Sequence, residues 1–247
     1  MAPLEGSEMT EQNAETLPPL KARVTGVVYL VYFLTAISGE LFIRGMVVSG
    51  DAAATANNFL THQPLFRLHF AVGLIATGLY IALTALFYGL FKPVNQSLAL
   101  LAAFFSLVGC AIQAFGSLFQ VAPFVVLGGS PYLSVFKAEQ LQALAFMFLK
   151  LNAQTSYIYL FFFGLFNLLI GYLIFRSTFL PRILGGLMAL SGVGWLTFLS
   201  PPLANDVLPY IEVLGILAEA LLMLWLLVKG VNEQRWQERA SAAGKYQ

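Results

Sequence analysis

The stretch LPYIEVLGILAEALLMLWLLVKG, residues Leu208–Gly230, decides the fold class. It is apolar throughout except for Glu212, Glu219 and the nearly terminal Lys229. A helix needs about 20 such residues to cross the hydrocarbon of a bilayer, and a helix that is apolar all round is buried in lipid or in a large core. The stretch therefore predicts a transmembrane helix, and its two glutamates raise the question of function.

The composition of the whole chain agrees with a membrane protein. The 247 residues are 59% hydrophobic and 10% charged, with a mean hydropathy of +0.79. Soluble domains are about 45–50% apolar and about 25% charged. A net charge of +1 without a basic-aromatic motif argues against nucleic acid as a partner. Cys110 is the only cysteine, so no disulfide forms within the chain. No cysteine cluster proposes a metal site, and we expect no cofactor.

Six apolar segments are long enough to span the bilayer, which is then the first partner of the chain. They cover residues 24–48, 68–91, 98–121, 156–175, 183–199 and 207–229. Because they are continuous apolar runs, they predict helices rather than the alternating strands of a membrane barrel. We predict an all-α integral membrane protein with a disordered cytoplasmic tail over residues 1–20, six transmembrane helices within residues 21–231, and a polar cytoplasmic tail over residues 232–247.

One of the loops between the spans is itself apolar. Within residues 122–154, apolar side chains recur at helical spacing. These side chains are Leu141, Leu144, Ala145, Phe148 and Leu151. The pattern predicts a short helix that lies in the outer interface or caps the bundle.

Lysine and arginine residues in the loops set the expected orientation. If the N-terminus is inside, the inner set is Lys21, Arg23, Lys92, Arg176, Arg182, Lys229, Arg235, Arg239 and Lys245, and the outer set is Arg44, Arg67, Lys137 and Lys150. This asymmetry favours a multi-pass protein of the cell membrane with both termini in the cytoplasm.

The third predicted span carries a small and polar stripe along one face. Its members are Ser106, Gly109, Cys110, Gln113, Gly116, Ser117 and Gln120. In lipid, small residues let helices approach and polar side chains bond across the interface. We therefore expect the stripe inside the bundle, against the first, second or sixth span. Gly185 and Ala189 have the spacing of close helix packing, and Asn167 is predicted to bond between helices.

The ionisable groups within the spans are the candidates for function. A charged carboxylate at the bilayer centre costs about 2.5–3.5 kcal/mol, so we expect Glu219 to be uncharged, paired or in contact with water. Glu212 lies two turns nearer the outer surface on the same helix face. The depths of the polar and ionisable residues within their spans predict a polar pocket that opens to the outside and has Glu219 at its floor. The predicted lining is Glu40, Arg44, His69, Gln113, Gln120, Glu212 and Glu219.

Simpler interpretations of these groups stay open. Glu40 and Arg44 have the spacing of an ion pair within one helix. An uncharged Glu219 donates a hydrogen bond to a neighbour such as Asn167 and then serves packing alone. His62 and His69 lack the close spacing of a typical metal site, so we predict neither a metal nor a catalytic residue.

Three segments together resemble a known family. They are SGDAAATANNFLTHQPLFR (Ser49–Arg67), GYLIFRSTFLPRILGGLMALSG (Gly171–Gly192) and EALLMLWLLVKGVN (Glu219–Asn232). The chain from about Arg23 to Asn232 is similar to the bacterial multi-pass membrane family catalogued as domain of unknown function four-three-eight-six. The resemblance implies an all-helical membrane protein. It implies no activity, substrate or catalytic residue.

Three functions are consistent with the sequence. The first is binding or transport of a small or lipid-like ligand, which requires a cavity that reaches Glu219 from outside. About six helices are few for a transporter, so a second copy would then be an expected partner. The second is an accessory membrane protein, which predicts a filled interior and small residues facing lipid. The third is an intramembrane enzyme that uses His69 with Glu212 or Glu40 within hydrogen-bonding reach.

The orientation is testable with single cysteines at Asp51 and Gln237, in a background where Cys110 is replaced by alanine. An impermeant thiol reagent added to intact cells is expected to label position 51 and not position 237, because the basic residues favour cytoplasmic termini. Labelling at position 237 but not at position 51 would reverse the predicted topology.

Overall fold

The computed structural model describes residues 18–43 and 45–244. The predicted disordered tail lies outside the described residues except for its last three, which begin the first helix. The helices are α1 (Pro18–Ile43), α2 (Ala52–Thr61), α3 (Gln63–Phe91), α4 (Gln96–Val126), α5 (Ala138–Arg176), α6 (Arg182–Leu196), α7 (Pro201–Val228) and α8 (Glu233–Gly244). Short 3₁₀ turns occupy Pro131–Leu133 and Thr197–Leu199. In the described part of the chain, α1 and α3–α7 are long and apolar enough to span a membrane. The predicted all-α fold with six spanning helices is confirmed.

The six spanning helices form a closed ring in chain order. Each packs against the next one along the chain, and α7 packs back against α1. We call the end of the ring next to α8 its inner end and the opposite end its outer end, as names for the two ends only. The last contact is close at the inner end, where a Cβ on Gly26 would lie 2.5 Å from the Leu227 backbone nitrogen. Side chains fill the centre of the ring. Phe87 and Phe166 have ring centroids 6.1 Å apart, and Tyr80 contacts Phe166 at 5.7 Å.

Helices α5 and α6 pack backbone against backbone. A Cβ on Gly171 would lie 2.4 Å from the Ala189 nitrogen, and one on Gly185 would lie 2.6 Å from the Gly171 oxygen. The two backbones are also in close contact at Gly164 and Gly192, one or two turns further out. Lipid supplies no hydrophobic drive between helices, so dispersion contacts of this kind hold them together. The predicted packing role of Gly185 and Ala189 agrees with this arrangement.

The outer short helix is not where the sequence pattern placed it. Residues 138–154 are the first turns of α5, which runs unbroken to Arg176. No proline or glycine lies between Ala138 and Tyr159 to interrupt it. The short outer helix is α2 instead, which begins where the Asp51 carboxylate accepts a bond from the Ala54 amide at 2.8 Å. Its Phe59 is 1% exposed and packs between Phe66 and Phe124.

The polar segment after α7 forms a helix that covers the inner end of the ring. In α8, the buried Trp236 donates its indole N–H to the Leu90 carbonyl at 3.0 Å. The Asn232 amide bonds the Phe179 carbonyl at 3.2 Å. These bonds fix α8 to the end of α3 and to the turn between α5 and α6.

Two glycines of the α5–α6 pair provide a matched test of this packing. Gly171→Ala is expected to lower the free energy of unfolding by about 1–3 kcal/mol, because its methyl group meets the α6 backbone. Gly186→Ala meets nothing within 4 Å and is expected to be neutral or slightly stabilising, since alanine is the better helix former. Thermal unfolding of both purified variants in one detergent measures the difference. Equal transitions would contradict the close approach.

Candidate functional site

Glu219 lies in the interior of the ring. It is on α7, nine residues from the inner end of that helix, and its side chain is only 7% exposed. At about 1.5 Å per residue this is about 13 Å deep, close to the middle of a hydrocarbon layer about 30 Å thick. The side chains that interact with its carboxyl group are Tyr29 of α1 and Asn167 of α5. No lysine or arginine interacts with it among the described residues.

Asn167 is buried but not satisfied. Its side chain is 1% exposed and faces Glu219. The amide nitrogen Nδ2 nevertheless makes no hydrogen bond of ordinary length and angle within the described part of the chain. A buried donor without a partner costs about 1–3 kcal/mol. Asn167 therefore interacts with Glu219 between α5 and α7 through a contact looser than an ordinary hydrogen bond.

Two further buried donors are also without partners in the described residues. They are the Ser191 hydroxyl and the Trp195 indole N–H, both on α6. Ser191 lies nine residues from the inner end of α6, and Asn167 lies nine residues from the inner end of α5, so both are at the depth of Glu219. Trp195 is one turn further out and lies against Gly215 of α7. Buried polar groups normally have partners, so these three vacant donors, which lie within about one helical turn of one another in depth, need an explanation.

Four tyrosines extend the polar cluster across the ring. Tyr29 and Tyr32 of α1, Tyr80 of α3 and Tyr159 of α5 interact with one another, and Glu219 interacts with all four. The rings of Tyr32 and Tyr80 are 4.8 Å apart between centroids. Membrane tyrosines are usually enriched at the two interfaces, whereas these meet in the interior.

A polar path continues from the tyrosines to α4. Tyr159 interacts with Cys110, and Cys110 with the Ser106 hydroxyl. Ser106 and Thr84 share a short, buried hydrogen bond between α4 and α3. Polar side chains from four other spanning helices, α1, α3, α4 and α5, thus connect to Glu219, either directly or through one another. We refer to Glu219, Asn167 and the four tyrosines as the central cluster.

The described residues of the predicted outer pocket have different surroundings. Glu212 is exposed on the outer part of α7. The His69 imidazole Nδ1 bonds the Gly39 carbonyl at 2.9 Å, which ties α3 to α1. No hydrogen bond or ion pair joins His69 to Glu212 in the described chain. Arg44 and the side chain of Glu40 lie outside the described part of the structure. The ion pair predicted between them therefore stays a prediction. His62, which follows the last residue of α2, bonds through its imidazole Nδ1 to the Asn58 carbonyl of the same helix at 3.0 Å.

The stripe of the third predicted span does lie inside the bundle, but against a different helix. Gly116 and Ser117 are buried, and Gln113 is half-buried. Gln120 donates to the Asn152 side chain at 3.3 Å, and Asn152 donates to the Gly116 carbonyl at 3.0 Å. The partner of the Gln113–Gln120 face is therefore α5, not the first, second or sixth span, whereas Ser106 at the other end of the stripe bonds Thr84 of the second span. The expectation for the Gln113–Gln120 face failed because α5 extends about five turns further out than the sequence pattern indicated.

Two surface clefts lie far from Glu219. The larger, about 350 Å³, runs between α5 and α6, and the smaller, about 180 Å³, lies between α1 and α3. Neither is lined by any of the seven residues predicted for the pocket. The interior at Glu219 is filled in this conformation, chiefly by aromatic side chains.

Sequence reasoning missed Tyr32, Tyr159, Ser191 and Trp195 as members of a site. One signal was available for three of the tyrosines, because Tyr29, Tyr32 and Tyr80 stand away from the ends of their apolar segments. Tyr159 lacked this signal, because it lies three residues from the start of its predicted segment. The unpaired state of Ser191 and Trp195 has no signature in the sequence. It depends on how α6 is rotated against α5 and α7.

The arrangement is suited to binding rather than to bond breaking. A carboxyl group and phenolic hydroxyls supply oxygen ligands for a proton or a small cation. The three vacant donors supply bonds to an oxygen of a water molecule or a small polar molecule. No nucleophile with an adjacent base stands in the cluster as described.

Comparison with known proteins agrees with the fold. A family model described as Domain of unknown function (DUF4386) matches residues 24–230, and the chain belongs to this family. No curated protein matches the chain, and no solved structure does.

Two asparagines distinguish a binding role from a packing role. Asn167→Leu removes a donor whose contact with Glu219 falls short of an ordinary hydrogen bond, so we expect the free energy of unfolding to stay unchanged or to rise. Asn152→Leu removes an amide that makes two bonds and is expected to cost about 1–2 kcal/mol. Chemical unfolding of both variants in the same detergent makes the comparison. A larger loss for Asn167→Leu than for Asn152→Leu would show that Asn167 holds helices together.

Proposed function

We propose that this member of the DUF4386 family is a membrane-embedded binding or transport protein for a small polar ligand. The ligand is received at the central cluster. Aromatic side chains pack in the interior next to the cluster.

One observation carries this proposal. Three buried donors, those of Asn167, Ser191 and Trp195, have no partner in the described chain and lie at or near the depth of Glu219. In the membrane interior an unsatisfied polar group is costly, and so is a charged carboxylate. Polar groups kept in such a place mark binding sites and ion or proton pathways more often than packing.

The ligand chemistry follows from the groups present. Glu219 is the acidic residue of the cluster, and no basic side chain interacts with it among the described residues. A proton or a small cation at Glu219 removes the cost of its charge. The vacant donors then bind a water or another small molecule that accepts hydrogen bonds. We therefore assign Glu219 the role of a centre that responds to protons or cations.

The orientation and the assembly are part of the proposal. Both termini are placed in the cytoplasm, since basic residues collect at the α8 end of the ring. The exposed face of α7 around Glu212 would then be directed outward, and it supports entry to the cluster from that side. A second copy is proposed as partner, since six spanning helices are few for a transporter acting alone.

A second candidate is supported by a different observation. The interior of the ring is filled, and Gly186 with its neighbours faces lipid at the cleft between α5 and α6. An accessory membrane protein that packs against a partner would have these features. In that case the central cluster would serve assembly only, and Glu219 would not respond to solution conditions.

Glu219→Gln separates the two functions. Infrared difference spectra of the protein in liposomes are recorded across a pH titration and between sodium and potassium buffers. The binding proposal expects a carboxyl band that changes with conditions in the wild type and is absent in Glu219→Gln. Glu212→Gln is the matched control, because it removes a carboxyl from the same helix face two turns away and should leave the band in place. Tyr29→Phe should shift the frequency of the band, since it removes a hydroxyl that faces Glu219.

Identical bands in the wild type and in a normally folded Glu219→Gln variant would contradict the binding proposal. The accessory function would then be the better account. Thermal unfolding of each variant supplies the folding control.

A further inference from the structure

The larger surface cleft is apolar and faces the lipid. It has a volume of about 350 Å³ and is lined by Leu168, Leu169, Gly171, Tyr172, Phe175, Gly185, Gly186 and Ala189. The close approach of α5 and α6 creates it, because glycines at the contact leave no side chains to fill the space. A Cβ on Gly186 would meet nothing within 4 Å, so the floor of the cleft is open.

Arginines stand at the inner end of this cleft. The Arg182 guanidinium lies 5.6 Å from the centroid of the Phe175 ring, which is itself part of the lining. Arg176 ends α5 on the other side of the same turn and is exposed. Gly186 is one helical turn from Arg182, about 6 Å along α6. The cleft thus joins an apolar floor to a basic end over a short distance.

Helix α8 adds two more arginines to the same place. Arg235 donates to the Thr178 carbonyl at 3.0 Å, and Arg239 to the Arg176 carbonyl at 3.5 Å. Both bonds go to backbone oxygens, which leaves the positive charges unneutralised. The glutamates of α8 bond to glutamines of the same helix, Glu233 to Gln237 and Glu238 to Gln234. All four arginines are exposed.

We propose that the cleft between α5 and α6 binds one anionic phospholipid of the leaflet on the α8 side. An acyl chain lies over Gly185, Gly186 and Ala189, and the phosphate headgroup contacts Arg182 and Arg176. The occupant is argued from the complementarity of charge. An apolar cleft alone would accept any lipid, but exposed arginines at its end that have no acidic partner among the described residues favour a negative headgroup. Arginine also matches phosphate with two parallel hydrogen bonds.

The second cleft does not combine an apolar floor with several arginines at one end. It has about half the volume and a single basic residue, Lys21, among its lining. The inference is independent of the role proposed for Glu219, since none of the central cluster lines the α5–α6 cleft.

Native mass spectrometry of the full chain, released from detergent, tests the site. The probes are phosphatidylglycerol and phosphatidylcholine with identical acyl chains. The wild type is expected to retain one phosphatidylglycerol more strongly than phosphatidylcholine. Arg182→Gln together with Arg176→Gln should weaken phosphatidylglycerol retention about 25-fold, at about fivefold for each arginine. Phosphatidylcholine retention should not change.

Gly186→Leu fills the cleft and is expected to lower retention of both lipids. Gly78→Leu and Arg23→Gln are the matched controls: Gly78 is an equally open glycine on the exposed side of α3, and Arg23 is an exposed arginine on α1. Neither control should alter retention, and thermal unfolding of each variant checks that it folds.

Three results would overturn the inference. The first is equal retention of the two lipids by the wild type. The second is the same loss in the control variants as in the cleft variants. The third is displacement of phosphatidylglycerol by millimolar inorganic phosphate, which would show a headgroup anion site without a role for the acyl chain. Failure of phosphate to compete supports the phospholipid as the ligand.

Discussion

The absence of water in the hydrocarbon is the constraint on which this structure depends. A polar group there must find its partner inside the protein. Glu219, Asn167 and the four tyrosines come from different helices, and each is turned toward the centre of the ring. The apolar side chains turn outward in compensation, so residues such as Leu34, Ile75 and Val213 are exposed to lipid. The interior is still mainly apolar, as in a soluble protein, and the surface in contact with lipid is apolar as well. Dispersion contacts between the packed side chains hold the bundle together.

Glycine determines which helices approach most closely. At Gly171 and Gly185 the backbones of α5 and α6 touch, and the same absence of side chains opens a cleft on the lipid side. Close packing inside and a cleft outside are therefore two results of one sequence feature. This explains how the filled bundle still presents a recess at its surface, and why that recess lies next to the turn where four arginines collect.

The number of spans and their approximate ends followed from the length of the apolar runs, because bilayer thickness fixes that length. The extent of α5 was not predictable in the same way. Residues 138–154 are apolar and helical in pattern, and only the tertiary contacts with α2 and α4 decide that they continue a spanning helix. Glu219 and Asn167 were both recognisable as candidates, since each is a costly residue in an apolar segment. Ser191 and Trp195 were not, because serine and tryptophan are common in membrane helices and become unusual only when they are buried without a partner.

The contact between α1 and α7 has a consequence for the biogenesis of the protein. The first spanning segment to leave the ribosome carries Tyr29, and the last carries Glu219. The ring closes when Gly26 meets Leu227, which happens only after the whole membrane domain has been inserted. Until then the tyrosines of α1 lie in the bilayer without the Glu219 carboxyl group that they face in the folded protein. A chain cut before α7 would therefore expose these polar side chains to lipid, where unsatisfied polar groups are costly.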